Sequence, residues 1–405
     1  MNNMMLWVTI ACDVLCIFAF SVTPFVTRRT ELFGVSLPSA EIGRPELSAM
    51  RRAYLGISLA AGAALLVLTF ILFDVFQNNL AQVRIYLILI VAYTVAEFLI
   101  YLAFHWKMQA FKATQPWRAH GAASASGVNA AQASENGAGV TSGEAANVAA
   151  PEPVLIVDTA PPAREVIHAA WLWLYAVVGV GTFLYLWSVW PSLPEKIPMH
   201  MNAAGVVDGW ADKTPGGFVM LMFSQWIMIA IFVLIYFMIP ISKRQIDAAN
   251  PLVSREQGRR FRYRMSACLT FAGVALSAVI GFLPVSMALS NGGIAYTVVP
   301  MIIIFAIVAV MIAVAYRTGQ GGSKLEVAER QPAQNPDRKR VSNTDDDSYW
   351  KLGQFYFNPN DPAAFVEKRF GVGWTINFGH PIGWIILAVI IAVVVVTLAF
   401  TRSQS

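Results

Sequence analysis

Charge is scarce in this chain: only 13% of its 405 residues are Asp, Glu, Lys or Arg, about half the share of an ordinary soluble domain. That shortage excludes a water-soluble globule, which needs a charged surface. Cysteine is almost missing, and Cys12, Cys16 and Cys268 all lie inside apolar blocks, which excludes an extracellular disulfide framework. The few histidines and cysteines never fall at zinc-ligand spacing. No Ser/His/Asp, HExxH or cysteine-centred constellation occurs, so the sequence points away from an enzyme and implies no cofactor. No internal repeat is visible.

What the chain has instead is apolar length. Hydrophobic residues make up 57% of it, with a mean hydropathy of +0.56, gathered into blocks of about twenty or more, enough to cross a hydrocarbon core of about 30 Å. Eight such runs predict transmembrane helices over Met4–Val26, Tyr54–Phe73, Ala81–Phe104, His168–Trp190, Phe218–Ile241, Met265–Met287, Ala295–Tyr316 and Ile382–Thr401. The expected fold is an all-α polytopic membrane protein with a small β-hairpin module before the last helix. No Lys or Arg precedes Arg28, and Asp13 interrupts the first run; both features argue for a retained helix rather than a cleaved signal. Of the 29 Lys and Arg, 25 fall in the segments after helices one, three, five and seven, and 4 on the opposite side. This asymmetry predicts that the odd connections are cytoplasmic and both termini external. It also accounts for the net charge of +5 without a nucleic-acid partner.

The runs divide the chain into a three-helix region (1–104), a cytoplasmic loop (105–167), a four-helix domain (168–316), a cytoplasmic linker and module (317–381) and a last helix (382–405). Within the first loop, His120–Ala150 is rich in Ala, Gly and Ser and is expected to be disordered, because it cannot bury a core. Val154–Asp158 reads as a short strand or a membrane-docked segment.

Between helices four and five lies PSLPEKIPMHMNAAGVVDGWADKTPGG. Its prolines stiffen the chain and its Asn and Asp-Gly pairs supply turns, so a compact, ordered outer loop is expected. His200 and Asp208, with Asn202 and Glu195, offer imidazole and oxygen donors to a divalent metal, the alternative being a metal-dependent membrane enzyme centred on His200. Against this, one His is a thin ligand supply; His200 hydrogen-bonding a neighbour and Asp208 closing an Asx turn is the other reading. Trp210 reads as an interfacial anchor. The segment resembles the SdpI-like family, or domain of unknown function 1648, through Ile197, Pro198, His200, Asn202, Gly205, Asp208, Gly209, Trp210 and Lys213, and the likeness extends over about His168 to Tyr316. Members of that family protect against a secreted toxic peptide and sequester a transcriptional regulator. The resemblance therefore implies a bacterial inner-membrane protein of immunity or signal transduction, with the lipid bilayer, an extracellular peptide and a cytoplasmic regulator as partners.

On the inner side, Ser254 and Gln257 have the spacing of a capping box, which predicts a basic helix starting there and running into helix six. Its Arg255, Arg259, Arg260, Arg262 and Arg264 either hold a partner or anionic lipid or enforce topology; Arg338–Arg340 reads as solvated linker. From Asp345 to Pro381, aromatic-rich extended runs flank an Asn-Pro-Asn-Asp-Pro turn, as in a small β-hairpin module. This stretch resembles domain of unknown function 5808 through Trp350, Lys351, Gly353, Tyr356, Asn358, Asp361, Pro362, Arg369, Gly371, Gly373, Trp374, Asn377 and Gly379. Gly371 and Gly373 are expected to allow tight packing rather than phosphate binding, since no helix start follows them. Inside the bilayer, Asp13 and Glu97 are costly to insert and so should face the bundle interior. They serve either as proton carriers in a coupled transporter or as hydrogen-bonded structural groups.

Overall fold

The computed structural model describes residues 2–38, 41–75, 79–115, 164–201, 207–247, 250–289, 295–327 and 347–403. The sequence expectations for His120–Ala150, Val154–Asp158, Arg338–Arg340, Asn202 and Gly205 lie outside the described residues.

The fold is mostly helical. Among the described residues eight helices run α1 Asn2–Val26, α2 Pro45–Val75, α3 Asn79–Ala113, α4 Trp173–Val189, α5 Pro215–Ile241, α6 Pro251–Leu289, α7 Ala295–Thr318 and α8 Pro381–Ser403. Apolar runs adopt this form because a helix satisfies its own backbone hydrogen bonds, which lipid cannot do. The first seven are long and apolar enough to cross a membrane. At 23 residues, α8 measures about 35 Å. Four helices begin at a proline, namely α2, α5, α6 and α8; proline fits the first turn, where its missing N–H is not needed. Thr214 caps α5 by accepting the Gly217 N–H at 3.1 Å.

Several helices overrun their apolar runs. α2 starts at Pro45 rather than Tyr54, α3 ends at Ala113 rather than Phe104, and α6 starts at Pro251 rather than Met265. The apolar run marks only what meets lipid, whereas the helix continues wherever its end has protein to pack on. The expected basic helix running into helix six is present as the first turns of α6, but its capping box is corrected. Ser254 lies inside the first turn of α6, where its hydroxyl accepts the Asp247 N–H at 3.0 Å, and Gln257 reaches the Leu325 carbonyl at 2.9 Å.

Among the described residues four two-stranded antiparallel hairpins join the helices: β1 Glu31–Leu32 with β2 Val35–Ser36, β3 Lys196–Met201 with β4 Val207–Asp212, β5 Trp350–Lys351 with β6 Phe355–Tyr356, and β7 Phe365–Glu367 with β8 Trp374–Ile376. The expected compact loop between the fourth and fifth spans is thus the β3–β4 hairpin. Helices α1, α2 and α3 pack in sequence; α6 packs against α4, α5 and α7, and α7 touches α1, which joins the two helical groups. The connections after α1, α3, α5 and α7 meet at one end of the bundle, because Arg28 reaches the Gln245 carbonyl (2.9 Å) and Gln320 the Gly373 carbonyl (2.9 Å). The β3–β4 hairpin occupies the opposite end, packed on the last turns of α6 through Ile197, Leu193 and Val285.

Candidate functional site

The end that carries the odd connections holds a buried ionic hub. Glu367, on β7, is 1% exposed and lies between two guanidiniums, pairing with Arg28 and with Arg262 at 3.4 Å. Arg262 is itself 1% exposed and donates to the Ile239 and Ser242 carbonyls, both at 3.1 Å. One carboxylate therefore ties the α1–α2 connection, the end of α5, the start of α6 and the module together. Asp347 does the same on the other flank: it pairs with Arg369, takes Lys112 Nζ of α3 at 2.6 Å and accepts the Ser36 hydroxyl at 2.9 Å. Backbone contacts extend the docking. The Lys243 N–H donates to the Phe365 carbonyl at 2.8 Å, so the chain leaving α5 adds itself to β7. The Gln320 amide grips the Gly373 backbone from both sides, its carbonyl oxygen accepting the Gly373 N–H at 2.7 Å.

Glu31 lies in the same hub, fully buried on β1, and its Oε2 has no hydrogen-bond partner. Burial pushes its carboxyl from 4.5 up to about 7, against the pull of Arg369 and Arg28. The fold thus favours protonated Glu31. This contribution to stability is complete below about pH 4.5 and is lost as pH rises through about 7. The melting temperature in detergent is expected to fall between about pH 5 and pH 8 in the wild type, and Glu31→Gln should flatten that fall. An equally steep fall in the variant would assign the dependence to other groups.

Two tight turns meet at the centre of the hub. Phe33 and Gly34 form a two-residue turn between β1 and β2, both at positive φ (48° and 77°), the conformation that matches strand twist in a hairpin. Leu352 and Gly353 also have positive φ, in the turn between β5 and β6. The two glycines abut, and a Cβ added at Gly34 would stand 2.6 Å from the Gly353 Cα and 2.7 Å from the Tyr101 hydroxyl. Tyr101 of α3 donates to the Leu352 carbonyl at 2.8 Å, with the Phe33 carbonyl at 3.3 Å, while His105 Nδ1 lies 2.7 Å from that second carbonyl. Phe370 reaches in from the module to within 4.5 Å of the Tyr101 ring, centroid to centroid. Leu32, Phe33, Val35 and Leu37, all at most 2% exposed, complete an apolar plug with Tyr54 and Phe104.

At the far end, β3 and β4 pair Pro198 with Trp210 and His200 with Gly209, with register shifts on either side of His200. The side chains of His200 and Asp208 are outside the described residues. Lys213 closes the hairpin base by donating to the Pro191 and Leu193 carbonyls at 3.0 and 2.8 Å, and Trp210 is 47% exposed. Among the described residues, no three His, Cys, Asp or Glu side chains gather as a metal site.

A domain of unknown function, DUF1648, matches residues 177–224. That segment runs from within α4 through the hairpin to the first part of α5. A second model, a family of unknown function, DUF5808, matches residues 359–384. No curated protein and no solved structure matches the chain. The DUF5808 match covers β7, β8 and the start of α8, so Glu367, Arg369 and Asn377 lie inside it, whereas Trp350, Lys351, Gly353, Tyr356 and Asn358 precede it. Asn377, fully buried, holds the turn before β7 by donating to the Asn358 and Ala363 carbonyls at 2.9 and 3.1 Å and accepting the Asn358 N–H at 3.0 Å. Asp361 accepts from Lys243 Nζ at 2.5 Å and the Tyr356 hydroxyl at 2.7 Å. Trp350 and Tyr356 form the small core of the module with Val366, and Lys351 turns outward to the Ser348 carbonyl at 3.0 Å. Gly371 donates its N–H to Thr27 Oγ1 at 3.0 Å, and Trp374 lies 5.5 Å from the Phe261 ring.

Inside the spans, Asp13 and Glu97 are both buried. Asp13 accepts from Thr69 of α2 at 2.9 Å and Tyr86 of α3 at 2.8 Å. Glu97 accepts from Ser58 at 2.9 Å, and Ser58 lies 2.9 Å from Ser21 of α1. The two carboxyl groups thus belong to separate clusters, each joining three helices. The basic stretch of α6 needs a correction: Arg262 is not a lipid contact but a core residue. Its neighbours Arg259 and Arg260 instead share Glu256 at 2.7 and 2.8 Å. Reasoning from sequence missed Arg28, Glu31, Asp347 and Glu367, because a lone charge beside an apolar run gives no sign of whether it will be buried. The one available signal was ELFGVSLP, too apolar for an exposed loop.

Proposed function

We propose that this multi-pass membrane protein is a transducer of the SdpI-like kind, in which the β3–β4 hairpin receives an external peptide and the hub at the opposite end answers to a cytoplasmic regulator, as immunity or signalling would require. The observation that carries this reading is α6. It is one continuous helix, packed on the hairpin through Val285 and clasped to the module through Arg262, and those positions are about 35 Å apart along its axis. A helix that is fixed at both ends by buried contacts can pass a change at one end to the other as a small shift or rotation. The excess of Lys and Arg around the hub supports its placement on the cytoplasmic side.

The test uses a strain in which loss of the gene has a phenotype. His200→Ala and Asp208→Ala are each expected to abolish protection or signalling at normal membrane level. Full activity in both variants would reduce the hairpin to a helix connector. A second reading, proton-coupled transport, is favoured by the burial of two carboxyl groups, Asp13 and Glu97, inside the spans. It requires Asp13→Asn and Glu97→Gln to lose pH-driven flux in proteoliposomes while the hairpin variants keep it.

A further inference from the structure

A cavity of about 170 Å³ opens on the module, lined by Gln354, Phe355, Lys368, Phe370, Thr375 and Phe378 among others. Its chemistry is mixed: the Lys368 ammonium, the Arg369 guanidinium, which Asp347 already engages, one amide and one hydroxyl stand among three aromatic rings. Among the described residues the Lys368 ammonium has no carboxylate partner, unlike Lys243 and Lys112, which are each engaged by an aspartate. Partial desolvation without a counter-charge holds Lys368 below the usual lysine range, although the residue remains exposed at the cavity mouth.

The position of the cavity names the environment it opens to. Phe378 of its wall lies 6.1 Å from the Trp384 ring and Phe355 lies 6.0 Å from Phe378. Trp384, in the first turn of α8, donates its indole N–H to the Phe378 carbonyl at 2.9 Å and is 55% exposed. Exposed Trp at the entry of an apolar helix sits at the headgroup level of a bilayer. The aromatic ladder Trp384–Phe378–Phe355 therefore runs from that level into the cavity. Leu352 and Phe357, 41% and 44% exposed, widen the apolar surface of the same β5–β6 hairpin.

We infer that this cavity binds the phosphate headgroup of an anionic phospholipid, with Lys368 contacting the phosphate, Gln354 and Thr375 offering hydrogen-bond donors, and Phe355 and Phe378 lining the path of the glycerol and upper acyl chain. The site does not depend on the transducer reading. It would fix the module to the inner leaflet beside the hub rather than leave it held by protein contacts alone.

The test uses the full-length protein, delipidated in detergent and titrated with phosphatidylglycerol or phosphatidylcholine, with bound lipid counted by native mass spectrometry. Wild-type protein should retain one phosphatidylglycerol more tightly than any phosphatidylcholine. Lys368→Ala should weaken that one by about fivefold, the effect of about one basic contact at a membrane surface. Lys351→Ala, on the same module but turned to Ser348, should leave it unchanged. The melting temperature should not move in either variant, since both lysines are exposed. Equal loss in both variants would mean diffuse attraction and overturn the site, as would equal binding in wild type and Lys368→Ala. Displacement of the lipid by millimolar inorganic phosphate would reassign the cavity to a free anion and overturn the headgroup.

Discussion

Glu367→Ala is expected to be the most damaging single substitution at the hub. It removes the one carboxylate that faces both Arg28 and Arg262 and leaves two buried guanidiniums, Arg262 with only the more distant Glu165 at 3.8 Å. Breaking a buried pair from one side costs about 3–5 kcal/mol, because the remaining charge keeps its desolvation penalty and loses its compensation. At a few degrees per kcal/mol, the melting temperature in detergent should drop by about 10 °C. The Lys243–Asp361 pair provides the contrast. The Lys243 side chain is 43% exposed, so Lys243→Ala should cost less than about 1 kcal/mol. A Glu367→Ala protein that melts with the wild type would mean the hub is not the joint between the module and the bundle.

Gly34→Ala should be comparably severe by a different route. At φ +77° a Cβ costs about 1–2 kcal/mol from its own backbone. The added methyl would also lie within 2.6 Å of the Gly353 Cα, and a main-chain neighbour, unlike the end of a flexible side chain, cannot swing aside. The two turns must then separate, releasing the Tyr101 hydroxyl from the Leu352 carbonyl and Phe370 from its plug. The expected result is module undocking, read as rapid tryptic cleavage after Lys368 or Arg369 in protein whose helical content is unchanged. Gly43→Ala, which meets nothing within 4 Å, should cleave like the wild type. Equal protection of Gly34→Ala would show that the turns do not bear on each other.

Hydropathy was enough to locate the helices, because lipid imposes one solution on any apolar run of sufficient length and the signal is local. The hairpin character of the module was legible for a similar reason: aromatic alternation around a turn is a short-range pattern. Asp13 and Glu97 also stood out, since a carboxyl inside an apolar run is conspicuous wherever the run packs. Their partners were not legible. Ser21, Ser58, Thr69 and Tyr86 come from three different helices, and nothing in their own neighbourhoods marks them as facing a carboxyl.

The amino-acid sequence by itself determined that this chain crosses a membrane many times, roughly where, and that the connections carrying most of its Lys and Arg alternate with those that carry few. Each of these follows from the contrast between lipid and water acting along a continuous stretch of chain. Only the tertiary structure decided that Arg262 leaves the basic row at the start of α6 for the core, that Glu367 lies between it and Arg28, and that the Gly34 and Gly353 turns abut. The physical reason is that burial of a charge is a property of what surrounds it. Arg28 and Glu367 lie more than three hundred residues apart in the chain, and only helix packing brings them together.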